Sequence, residues 1–207
     1  MSIRQVIMWI MIIFFGGLSA TPGFSQNGVT LENQPWPVSE KCQTCVPVQF
    51  GQLKMHLPLS EIERILVTGS GSPILHIIPK TSSPKEGLHF ISVSPDKMIG
   101  LYKKSGLLDG MKVKTNEQLF DLLGKLPEKN KSLATMRRLK DIDTARRYIK
   151  TSKGSVHAYW IQSPLPKGSQ RVYFVIDGQE TVYLLAGDVT QKFYEAILSN
   201  LRIVDIP

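Results

Sequence analysis

Three runs near the end of the chain, residues 156–161, 171–176 and 181–186, are rich in aromatic and β-branched side chains on both of their alternating faces. A strand that is apolar on both sides must be covered on both sides, so these runs predict the centre of a sheet. Asp177-Gly178 between the second and third suits a tight hairpin turn, which makes that pairing antiparallel. Residues 74–78 and 88–93 repeat the theme as a second hairpin around a loop holding Pro79, Pro84 and Gly87. Leu53, Met55 and Leu57 alternate with Lys54 and His56, predicting a strand with one wet face that stops at Pro58. Strands that arrive in hairpins, without strand-helix-strand alternation, predict an α+β fold: a mainly antiparallel sheet with helices packed on it.

Helix signals fall between and after these strands. Ser60 and Glu63 make a capping-box pattern for a short helix to about residue 66. Ser94-Pro95 starts another, ended by Gly106. Thr115 and Gln118 cap a helix whose Leu119, Leu122, Leu123 and Leu126 stack on one face, closed by Pro127. A longer helix is expected over residues 132–150, its apolar side carried by Leu133, Met136, Ile142, Ala145 and Ile149. Asp188 and Gln191 cap the last one, with Val189, Phe193, Ala196, Ile197 and Leu201 along one side. The closing stretch VYFVIDGQETVYLLAGDVTQKFYEAILSNLRI resembles the final hairpin and helix of the PsbP-like and DcrB-like exported α/β domains. That resemblance implies a C-terminal strand-hairpin-helix and a non-enzymatic accessory or binding module, with no catalytic residues to transfer.

The N-terminus bears on the address. Arg4 supplies one positive charge, residues 6–15 are apolar, and Gly16, Gly17, Ser19 and Ala20 are small, the layout of a secretory signal. The expected organisation is a signal peptide at 1–20, an extended lead segment at 21–45, and one α+β domain at 46–207. The apolar run is well short of the about 20 residues a span requires, so a retained anchor, and an envelope structural role with it, is the weaker reading. No later segment is apolar enough to span, and the mature chain is expected in the periplasm or outside the cell. The 207 residues carry 25 Lys and Arg against 17 Asp and Glu, a net charge of +8. An exported chain rarely meets nucleic acid, so the basic balance points to an acidic protein surface or envelope component.

Both cysteines lie in one C-x-x-C, Cys42 and Cys45. Outside the cytoplasm two thiols at this spacing are expected to close into a disulfide, a small clip worth about 2 kcal/mol in loop entropy. A periplasmic thiol-disulfide oxidoreductase is the rival reading, but its first cysteine needs a helix N-terminus, and Val46-Pro47 reads as extended. Metal or intermolecular use remains the other alternative. Zinc sites usually draw on two clustered ligand pairs, and there is no second pair. His56, His76, His89 and His157 fall on expected strands, and His76 can share a face with His89 only if the two oppose each other directly. Ser82 and Lys85, or Ser94 and Lys97, lack the partner motifs of an acyl-serine enzyme, and Gly69-Ser70-Gly71-Ser72 lacks the lysine of a phosphate loop. No catalytic residue, cofactor or metal site is expected.

The most unusual feature is the basic content of the third helical stretch: Arg137, Arg138, Lys140, Arg146, Arg147, Lys150 and Lys153 against Asp141 and Asp143. A solvated helix flank is one reading. Arginine also recognises carboxylates and phosphates through paired donors. Arg137, Arg138, Arg146, Arg147 and Lys150 are therefore the expected binding residues. The combined expectation is an exported, non-enzymatic binding module, of accessory, inhibitor or immunity type, that docks an acidic partner through a basic helix.

Overall fold

A computed structural model describes residues 28–38, 44–69, 72–80, 87–164 and 170–204. The expected signal segment at 1–20, Cys42, Ser82 and Lys85 lie outside them. The described residues form a strand-dominated α+β fold. The main sheet has eight strands in the order β1-β7-β8-β9-β10-β6-β5-β4. In chain order these are β1 (Leu31–Gln34), β4 (Ile62–Thr68), β5 (Ile74–Pro79), β6 (Leu88–Val93), β7 (Arg147–Lys153), β8 (Val156–Gln162), β9 (Gln170–Ile176) and β10 (Val182–Gly187). Every neighbouring pair is antiparallel except β1 with β7, which run parallel. A smaller sheet joins β2 (Cys45–Phe50), β3 (Leu53–Pro58) and β11 (Arg202–Ile203) in the order β11-β3-β2. The helices are α1 (Ile99–Lys104), α2 (Asn116–Leu123), α3 (Lys131–Leu139) and α4 (Gln191–Ser199), with a 3₁₀ turn at Pro95–Lys97 ahead of α1.

The period-two pattern of the central strands feeds two separate cores. Val156, Ala158 and Trp160 of β8 and Val172, Phe174 and Ile176 of β9 are buried with Leu53, Met55 and Leu57 of β3 and with Phe193, Ile197 and Leu198 of α4. The alternate residues, Tyr159, Ile161, Tyr173 and Val175, are buried with Ile99 and Tyr102 of α1, Leu119, Phe120 and Leu123 of α2, and Leu133 and Met136 of α3. The strands read as doubly apolar thus occupy the middle of the large sheet. Both expected hairpins form, and His76 opposes His89 directly.

Local capping explains where the helices begin. Thr115 accepts from the Gln118 amide at 3.2 Å while the Gln118 carboxamide accepts from the Lys114 amide at 2.8 Å, so the cap forms as expected and the return bond of the box shifts to the residue before it. Asn130 caps α3 through the Leu133 amide. The last helix is capped by Thr190, which accepts from the Phe193 amide, and not by Asp188.

Several expectations are corrected. The stretch after Ser60 is no helix: Ile62, Ile65, Leu66, Val67 and Thr68 belong to β4, an edge strand paired with β5, and no apolar period of helical length follows the capping pattern. The long basic helix is also shorter than expected. It ends at Leu139, and residues 147–153 form β7. The stop is a Schellman motif in which Asp141, at φ 57°, takes the left-handed position usual for glycine. The Ile142 amide donates to the Arg137 carbonyl and the Asp141 amide to the Arg138 carbonyl. Ile142, Ala145 and Ile149 are buried as expected, but from a turn and a strand. Residues 31–34, expected in a lead ahead of the domain, supply β1, and Trp36 donates its indole N–H to the Leu198 carbonyl at 2.9 Å.

Candidate functional site

The five basic residues expected to bind a partner do not share a helix. Arg137 is fully buried and serves the fold: Nε donates to Asp143 at 2.7 Å, Nη1 to the carbonyls of Leu123 and Lys125, and Nη2 to the carbonyl of Val29. Its position could have been read from spacing, because 133, 136 and 137 lie on one face of a helix. Arg147 opens β7 and makes a two-point pair with Glu32 of β1, at 2.6 and 3.2 Å. Lys150, also on β7, donates to Glu117 and to both carboxylate oxygens of Asp121. Burial works against the Lys150 charge, yet the hydrogen bonds it donates to Asp121 and Glu117 outweigh it and raise its pKa above the ordinary lysine value. Arg138 on α3 and Arg146 in the turn before β7 remain exposed, and neither makes an ion pair with a described residue. Neighbouring Lys140 is half-buried, its Nζ 4.9 Å from the centre of the Tyr173 ring and 3.7 Å from the Met98 sulfur. Burial, and next the charge of Arg171, push its pKa down to about 8.

A second polar constellation sits where α2 crosses the β7-β8-β9 end of the sheet. Alternation sends Tyr148, Lys150 and Ser152 of β7 to the α2 side, opposite Ile161, Tyr159 and His157 of β8. Glu117 and Asp121, one turn apart on α2, face them. His157 is buried, at 8% exposure. Its Nδ1 lies 2.8 Å from Ser152 Oγ, its Nε2 lies 3.0 Å from Asp177 Oδ1, and Glu117 Oε1 is 3.6 Å from Nε2. Tyr159 donates to Asp121 at 2.7 Å, and burial followed by that bond raises its pKa far above the usual phenol value. Sequence spacing could not have found this group, because its members come from a helix, two strands and a hairpin turn.

His76 and His89 are joined through their Nδ1 atoms at 2.9 Å, and His76 Nε2 bonds to Thr68 Oγ1. Burial and then the charge of His76 lower the His89 pKa. Cys45 begins β2 and is not a free thiol, while Cys42 lies outside the described residues. Among the described residues no helix is long and apolar enough to cross a membrane. Compared with known proteins, the chain matches no family model and no curated protein.

Proposed function

We propose that the protein is an exported, non-enzymatic binding module that docks an acidic protein surface or envelope component through Arg138 and Arg146. The observation that carries this reading is selective: Arg137, Arg147 and Lys150 are committed to carboxylates and carbonyls of the chain itself, whereas these two guanidinium groups stand in water without an acidic partner among the described residues. An arginine left open is placed to meet carboxylate or phosphate oxygens in two-point contact. The docking surface is therefore the end of α3 and the turn behind it, and no longer a continuous basic helix. A closing hairpin at the middle of the sheet, followed by α4 on the face opposite α1–α3, supports the resemblance to PsbP-like and DcrB-like exported domains. The signal segment at 1–20 directs export, and a Cys42–Cys45 clip fixes the entry to β2. Cys45 begins a strand and is not a free thiol, which favours the clip over a thiol-exchange site.

The test is capture of envelope material by the immobilised mature chain at low and high salt. The wild type should retain an acidic component at low salt and release it as salt rises, and the double variant Arg138→Glu/Arg146→Glu should retain none while melting at the same temperature. Equal capture by the double variant rejects the surface. Amino-terminal sequencing of the chain recovered from the cell should begin near residue 21.

A further inference from the structure

We propose that Glu117, His157 and Asp177 form a binding site for a divalent transition cation of the Zn²⁺ or Mn²⁺ kind. One donor atom from each, an imidazole nitrogen and two carboxylate oxygens, lies within 4.8 Å of the others. Donors of a tetrahedral site with bonds of about 2.0–2.2 Å stand roughly 3.3–3.6 Å apart, so the observed Nε2 separations of 3.0 Å from Asp177 and 3.6 Å from Glu117 already bracket that span. One nitrogen with two hard oxygens suits these ions better than Mg²⁺ or Ca²⁺, which prefer oxygen alone.

The surroundings of the three donors bear on the same ion. A metal on Nε2 requires the ring proton on Nδ1, and Ser152 Oγ, 2.8 Å from Nδ1, is placed to accept it and hold the ring in that orientation. The carboxylates of Glu117, Asp121 and Asp177 gather here, with Lys150 bonded to the first two and Lys103 and Lys114 on the wall of the adjoining cavity. Lys150 reaches the Oε1 atom of Glu117 and both oxygens of Asp121, so a metal taking Glu117 Oε1 displaces the ammonium from that atom and leaves it on Asp121. Beside the cluster is a cavity of about 260 Å³ lined by Asn116, Glu117, Asp177 and Gly178. Asn116 is only 3% exposed, and its amide nitrogen donates to the Glu180 carbonyl at 2.9 Å while its Oδ1 has no partner. A buried acceptor left open beside a cation pocket is satisfied by water carried on the ion, which completes the coordination that three protein donors leave unfilled.

The inference is independent of the docking surface, and its test does not involve Arg138 or Arg146. The untagged chain, dialysed against chelator, is titrated with Zn²⁺ and Mn²⁺ by calorimetry and by equilibrium dialysis with elemental analysis. A His76→Ala/His89→Ala background keeps the cross-strand histidine pair from contributing. One ion per chain is expected, with a rise in melting temperature on binding. Affinity should fall about 10–100-fold in Ser152→Ala, which removes only the partner that orients the ring, and by more in Asp177→Asn and in Glu117→Gln, which remove donors. Asp177 lies in an exposed turn, and an unchanged melting temperature of metal-free Asp177→Asn separates loss of binding from loss of fold. Absence of saturable binding, unchanged affinity in both carboxylate variants, or uptake of Ca²⁺ or Mg²⁺ in place of the transition ions overturns the site.

Discussion

Arg137 carries more of this fold than any other charged side chain among the described residues. One guanidinium group takes carbonyls from the end of α2, from the loop after it and from the N-terminal segment, and pairs with Asp143. Replacing it by methionine keeps the volume and strands those acceptors in a dry site, so Arg137→Met should lose about 3–5 kcal/mol in urea melts. Arg137→Lys should rescue little, because an ammonium group cannot reach three separate directions. Arg138→Glu, one residue on, should shift stability by less than about 0.5 kcal/mol. Lys140 supplies a pH test. Its folded pKa of about 8 lies below the ordinary 10.5, so the unfolded chain binds more protons between these values and the Lys140 contribution to stability rises with pH across that window. Below about pH 8 the penalty for its charge is fully present. Lys140→Met should therefore gain about 1–2 kcal/mol at pH 7, a gain that fades between pH 8 and 10.5 in chemical denaturation.

Element boundaries were legible wherever the signal was local. The Asp177-Gly178 turn, the Thr115 cap and the doubly apolar central strands are each written within a few residues, and each forms where expected. The end of α3 was not legible because Asp141 replaces the glycine that ordinarily announces a left-handed stop. Beyond it Tyr148 and Ile149, which suit a helix face by spacing, alternate across β7 because β8 is there to pair with them. The same misreading joined Arg147 and Lys150 to Arg138, and so drew a docking helix across a strand. Asp141 also pairs with Arg171 at 2.8 Å. Asp141→Gly should relieve the backbone while losing that exposed pair, leaving stability within about 0.5 kcal/mol, whereas Asp141→Val should cost about 1–2 kcal/mol in the same melts.

At the level of the whole molecule, β1 is the least expected part and closes one edge of the main sheet. It pairs with β7 in parallel, and Gly124 approaches so closely that an added Cβ would overlap the Leu31 side chain. Gly124→Ala should push β1 off its bed. A chain starting after residue 38 should leave β7 bare, melt at lower temperature and self-associate, visible as rising mass in light scattering. Nothing near residues 31–34 foretells this, because a parallel partner cannot be a sequence neighbour. Leu31 meets Tyr148, and the two lie more than half a chain length apart. Closing so wide a loop places refolding in the slow, high-contact-order regime of milliseconds to seconds. While only the front half has been delivered, the opening strand has no bed to lie in, and the order in which the polymer is handed over governs when it can become compact.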